Sequence, residues 1–141
     1  MINLRRMRHL IDRIVPAAEF RVERAMSKAT KCTSVLTGMP RSGGTGSAMD
    51  NSMELLETVR GEYDRVSSEL KMMQDALAPM IDRLENPDER LAADLRYIKA
   101  YHPATVASCI CLSDRHTFRI LERAEKKLEE MMADADSRIT V

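Results

Sequence analysis

Tryptophan is absent from the 141 residues, aromatic residues make up 4%, glycine and proline number five each, and cysteine three. So few aromatics leave few side chains able to stack on bases, and the core must rest on Leu, Ile, Val, Met and Ala. The chain is too short for a TIM barrel or a two-domain oxidoreductase. Cys32, Cys109 and Cys111 form no even disulfide framework. No apolar run approaches the ~20 residues of a membrane span. Arg5, Arg6, Arg8, Asp12 and Arg13 interrupt any apolar leader stretch, so no signal peptide is expected and a reduced cytoplasmic setting is the default. Sparse Gly and Pro beside 31% charged residues point to helices.

The charge total is zero, 22 basic against 22 acidic, but it is unevenly spread. Residues 1–50 hold nine basic and four acidic side chains, residues 51–87 four and eight, and residues 88–141 nine and ten. Two readings follow. The basic and acidic segments pair along a helical hairpin, or the basic arm meets a phosphate backbone.

Apolar positions Leu4, Met7, Ile11, Ile14, Ala18, Val22, Ala25 and Ala29 recur at steps of three and four, predicting an amphipathic helix over residues 3–31. Pro16 lies inside it and predicts a kink or break near Ile14–Val15. Residues 33–48 lose the period and hold four of the five glycines, which reads as a loop. From residue 50 to 84 the period returns with Met53, Leu56, Val59, Tyr63, Val66, Leu70, Met73, Leu77, Met80 and Leu84, a coiled-coil-like seam. Pro79 should bend its last turns. The first helix packs antiparallel on this one, or the seam makes a homodimer.

Asn86, Pro87 and Glu89 carry the grammar of a restart: a cap, a first-turn proline and the third position of a capping box. Leu91, Leu95 and Ile98 form the inner face of the helix that follows. Pro103 starts a short helix with Val106, Ala107 and Ile110 inward, and Cys111-Leu112-Ser113 is a tight turn. Ser113 caps a longer helix over residues 114–132, with Thr117, Ile120, Leu121, Ala124, Leu128 and Met131 inward. Residues 133–141 lack a clear period and read as a flexible tail. Short helix, turn and long helix in this spacing match a helix-turn-helix. Its outer face would present Ser113, Arg115, His116, Arg119 and Arg123 to double-stranded DNA. Asp114, Glu122, Glu125, Glu129 and Glu130 on the same helix oppose that charge.

The stretch from Asp88-Glu89-Arg90-Leu91 through Arg96-Tyr97-Ile98, then Leu112-Ser113-Asp114-Arg115-His116-Thr117-Phe118-Arg119-Ile120-Leu121, resembles a sigma-70 region 4 helix-turn-helix. Over residues 4–130 the chain resembles small phage and prophage proteins of Gram-positive bacteria related to ArpU-type late transcription regulators. The loop Leu36-Thr37-Gly38-Met39-Pro40-Arg41-Ser42-Gly43-Gly44 and the Arg96-Tyr97-Ile98 stretch carry the more specific part of that likeness. The resemblance implies phage gene regulation in a bacterial host, through DNA and with RNA polymerase as a further partner. The family's turn glycine is replaced here by Cys111.

Other chemistries find less support. Gly38 to Thr45 has P-loop spacing, but Gly44 stands where the lysine is required. Cys109 and Cys111, with His102 or His116, lack a second ligand pair for zinc. His9, His102 and His116 have no motif tying them into a triad. No cofactor, metal or enzymatic activity is expected. The fold class expected is all-α: a helical hairpin arm over residues 1–85 and a three-helix helix-turn-helix domain over residues 86–132. The alternative function is a phage interaction module or inhibitor of a host factor, such as a defence nuclease, with Arg41 a candidate partner contact.

Overall fold

The computed structural model describes residues 2–35 and 45–139, with side chains for 2–30 and 50–139. It is all-α, with no strand among the described residues. Helix α1 spans Leu4–His9 and passes through a π-helical turn, Leu10–Ile14, into α2, Val15–Val35. Helix α3 spans Thr45–Asp82. Helix α4, Pro87–Ala93, runs into a second π-helical turn, Asp94–Ile98. Helix α5 is Pro103–Ile110 and α6 is Asp114–Ile139. Among the described residues, no helix is long and apolar enough to cross a membrane.

Pro16 does not break the first helix. Proline lacks an amide proton and crowds the carbonyl one turn back. The π-helical turn just before it shifts the bonding by one residue and absorbs both defects. The wider turn also brings neighbours onto one face, so Leu10 joins Met7 and Ile11 in the core. Pro79 likewise sits inside α3 without ending it. α2 and α3 extend into the segment read as a loop, ending at Val35 and starting at Thr45. The glycine-rich stretch between them, with Arg41, lies outside the described residues, as does the Cys32 side chain.

The chain divides into two compact units, Arg13–Ser68 and Met1–Asp12 with Glu69–Val141. In the first unit, Ala25 packs with Leu56 and Val59, flanked by Val22 and Ala29. Arg21 Nη1 donates to Glu62 Oε2 at 3.4 Å. Residue 21 thus meets 62 while 25 meets 56 and 59, an antiparallel order. The ion pair is exposed and contributes little; the apolar contact stabilises the unit.

In the second unit, Leu4, Met7, Leu10 and Ile11 are buried, as are Leu70, Leu77, Ile81, Leu84, Tyr97 and Leu128. A further cluster joins Ala92, Val106, Ile120 and Leu121, with Leu95, Ile110 and Leu112 against it. Residues 4–11 belong here because their apolar side chains are buried in it, and polar contacts add to the tie. Arg6 Nε donates to Glu69 Oε1 at 3.0 Å, and Arg8 Nη1 to Glu125 Oε2 at 2.7 Å. Both nitrogens of the Arg96 fork donate to Asp12, at 2.9 and 2.8 Å, so the two π-helical turns are bonded to each other.

Three further differences from expectation have local causes. Leu91 is 47% exposed, whereas Ala92, Ala93 and Tyr97 are buried. The π-helical turn after Ala93 changes the helical phase, so the inner stripe moves off Leu91. Glu89 does not close a capping box: it is buried and accepts Lys127 Nζ at 2.7 Å, while Asn86 Oδ1 alone caps the amide of Asp88. α6 runs past Met132 to Ile139, because Ala133, Asp134, Ala135 and Asp136 allow a helix to propagate without burial.

Candidate nucleic-acid interface

Helix α5 begins at Pro103, whose missing amide proton costs nothing at the first helical position. His102 Nδ1 accepts the amide of Ala104 at 3.3 Å and serves as the cap. The helix ends at Cys111, which adopts the left-handed conformation with φ 61° and ψ 39°. The amide of Leu112 donates to the Ala107 carbonyl at 3.1 Å and that of Cys111 to Ser108 at 3.4 Å. This is a Schellman closure, and Leu112 completes it by packing against the cluster that holds Val106. Cys111 thus holds a conformation that costs about 1–2 kcal/mol for a side-chain-bearing residue. Ala100, at the end of the preceding π-helical turn, is left-handed too, with φ 59°.

Ser113 then starts α6 as expected. Its Oγ accepts the amide of His116 at 3.3 Å and its carbonyl accepts Thr117 at 2.9 Å. Thr117, Ile120, Leu121, Ala124 and Leu128 turn inward. Arg115, His116, Arg119 and Arg123 are all exposed, and among the described residues none of their side chains is held by an ion pair or hydrogen bond. Successive steps of four place the three arginines along one solvent-facing ridge. Ser113 is exposed beside them, its hydroxyl engaged as the cap. Cys109 and Cys111 are free and exposed.

The acidic residues of α6 do not all oppose that ridge. Glu125 faces away from it and is engaged twice, by Arg8 and by the Tyr97 hydroxyl, which donates to Oε1 at 2.5 Å. Tyr97 is fully buried, and its backbone carbonyl accepts Gln74 Nε2 at 2.8 Å. Burial, reinforced by the hydrogen bond and negative charge of Glu125, pushes the Tyr97 phenol well above its ordinary range, against the pull of Arg8 and Arg96. For Arg8, burial lowers the pKa, but Glu125 and Tyr97 outweigh it and the net shift is upward. Asp114, Glu122, Glu129 and Glu130 remain exposed.

Spacing alone did not single out Phe118, which is 60% exposed on α6 between Arg115 and Arg119. The signal available was its place outside the Thr117, Ile120, Leu121, Ala124 stripe. Nor could spacing find the Arg8, Glu125, Tyr97 cluster, whose members are far apart in the chain. No protein-family model, no curated protein and no solved structure matches the chain.

Proposed function

We propose that α4, α5 and α6 make a helix-turn-helix of the sigma-region-4 type, and that the protein is a phage-type transcription regulator holding duplex DNA against α6. The observation that carries this reading is the ridge of Arg115, Arg119 and Arg123. It is solvent-facing, free of ion pairs among the described residues, and set just after a left-handed turn and a serine cap. Arginine can bond guanine edges bidentately or hold phosphates, and the first turns of a recognition helix lie nearest the bases. His116 and Ser113 sit where they can reach the adjoining backbone. A contact with RNA polymerase extends the same reading; in the basic arm Arg6, Arg8 and Arg21 are already paired with glutamates.

The test is binding of fluorescent duplex DNA across a salt series, with the parent protein, Arg119→Ala and Arg123→Ala. The expected result is affinity that falls steeply with salt, with a slope reduced by about one unit for each phosphate-contacting arginine removed. Binding that is absent at low salt, or indifferent to salt, would reject DNA recognition.

A second reading, a module that binds or inhibits a host protein without DNA, has its own observation. In the Arg13–Ser68 unit, Phe20, Met26, Met53 and Leu55 are large apolar side chains left exposed, and such surface favours protein contact. The acidic excess of residues 51–141 suits it as well.

A further inference from the structure

The chain holds only two phenylalanines, and neither is in the core: Phe20 is 62% exposed and Phe118 60%. The one fully buried aromatic is Tyr97. Phe118 is an apolar ring on an otherwise polar helix face, beside Arg115 and Arg119, with the exposed Asp114 and Glu122 one turn before and after it. Exposed apolar side chains are common on this chain, and Phe118 stands out by its place: it is the ring that any partner meeting Arg115 and Arg119 on α6 would also touch.

The geometry of α6 restricts what that partner offers. On a helix of 3.6 residues per turn, Phe118 lies about 60° around the axis from Arg115 on one side, and Arg119 about 40° on the other. A B-DNA major groove about 12 Å wide admits one helix, and the side chains near its inward line reach base edges. With Arg115 on that line, Phe118 and Arg119 flank it in the second turn. Arg119 has hydrogen-bond donors for base edges or phosphates. Phe118 has none, and the polar edges of guanine, cytosine and adenine give a phenyl ring nothing to pair with. The apolar group that the four bases present in that groove is the 5-methyl of thymine.

We propose that Phe118 is a specificity-determining residue that reads a thymine 5-methyl group in the major groove, beside base or phosphate contacts from Arg115 and Arg119. This rests on the DNA reading above and adds the base class that one side chain selects. The guanidinium groups of Arg115 and Arg119 seek acceptors, which thymine and deoxyuridine present alike, so the phenyl ring is the side chain there with most to gain from the methyl.

The test uses the full chain and duplexes recovered from a pool with a randomised 20-bp centre at low salt. Each thymine in a recovered duplex is replaced in turn by deoxyuridine, which keeps the pairing and removes only the methyl. The parent should bind one such duplex about four-fold more weakly, the value of one buried methyl group. Phe118→Ala should bind the thymine duplex more weakly than the parent and make no distinction between thymine and deoxyuridine at that position. Phe118→Leu should keep part of the discrimination. Thermal melts of both variants should match the parent, since the ring is exposed. If the parent binds with steep salt dependence yet is indifferent to every deoxyuridine, the role of Phe118 is overturned and the regulator reading stands. Equal discrimination in Phe118→Ala also overturns it. If no duplex binds even at low salt, both fall.

Discussion

The bond between the two π-helical turns is the interaction whose removal should be felt most. Arg96 has a side chain 4% exposed, and it makes three donor contacts: two with Asp12 and one with the Tyr101 carbonyl at 3.0 Å. Asp12 is 34% exposed, so water reaches one side of it. Asp12→Ala would leave a buried guanidinium with a single carbonyl acceptor. Breaking a buried pair this way costs about 3–5 kcal/mol. The remaining carbonyl and the wet edge place this case near the low end, about 3 kcal/mol. Arg96→Met takes away the buried charge and leaves an aspartate that water can solvate, at about 1–2 kcal/mol. The double variant has no stranded charge and should cost no more than Arg96→Met alone. The two single losses together should therefore exceed the double loss by at least about 3 kcal/mol. Urea unfolding followed by circular dichroism, at constant m-value, measures all three. Additivity within about 0.5 kcal/mol would refute the pairing of the two turns.

The left-handed residues give a second expectation: Cys111→Gly and Ala100→Gly should each stabilise the fold by about 0.5–1 kcal/mol, with no gain from Cys111→Ala. Differential scanning fluorimetry checks this, and a loss in both glycine variants would count against the turn geometry. The buried Thr117 hydroxyl has no partner among the described residues, so Thr117→Val should raise stability by up to about 1 kcal/mol; a loss would reveal a hydrogen bond to that oxygen. The raised Tyr97 pKa means the unfolded chain releases its phenolic proton near pH 10.0 while the folded chain retains it. Stability from this group is thus complete below that pH and falls above it, by at most about 1.4 kcal/mol per pH unit. Urea midpoints on either side of that pH should show the fall in the parent and a shallower one in Tyr97→Phe. Leu70→Asp places a charge at a buried position of the α3 seam and should cost about 3–5 kcal/mol, read as a lowered melting temperature.

What sequence spacing made legible is what neighbouring residues decide. Asn86 with Pro87, His102 with Pro103, and Ser113 each bond an amide two or three residues on, so composition around them marks the helix starts. The seam from Leu56 to Leu84 is legible because burial repeats at helical steps, although Met53 at its start is exposed. The α-helical period itself conceals the π-helical turns: each inserts a residue, which hides Leu10 among the buried and sends Leu91 outward. The four candidates Arg115, His116, Arg119 and Arg123 could be placed on the outer face because the inner stripe of α6 is regular. The pairs Asp12 with Arg96, Glu89 with Lys127 and Arg8 with Glu125 span 84, 38 and 117 residues. Chemistry at such separations leaves no periodic trace.

That last separation has a consequence for how the protein is made. Leu4, Met7, Leu10 and Ile11 are buried in a unit whose other members begin at Glu69, and Arg8 finds Glu125 only 117 residues later. At a synthesis rate of about 5–20 residues per second, Arg8 waits about 6–23 s for Glu125, while the apolar face beside it waits for partners that begin at residue 69. Meanwhile the Arg13–Ser68 unit is complete before residue 69 is added and is free to form first. During the interval the early helix is a candidate client for chaperones, or for an early helix of another nascent chain on the same messenger. Translation speed along residues 69–125 therefore sets how long the early helix stays open to such capture.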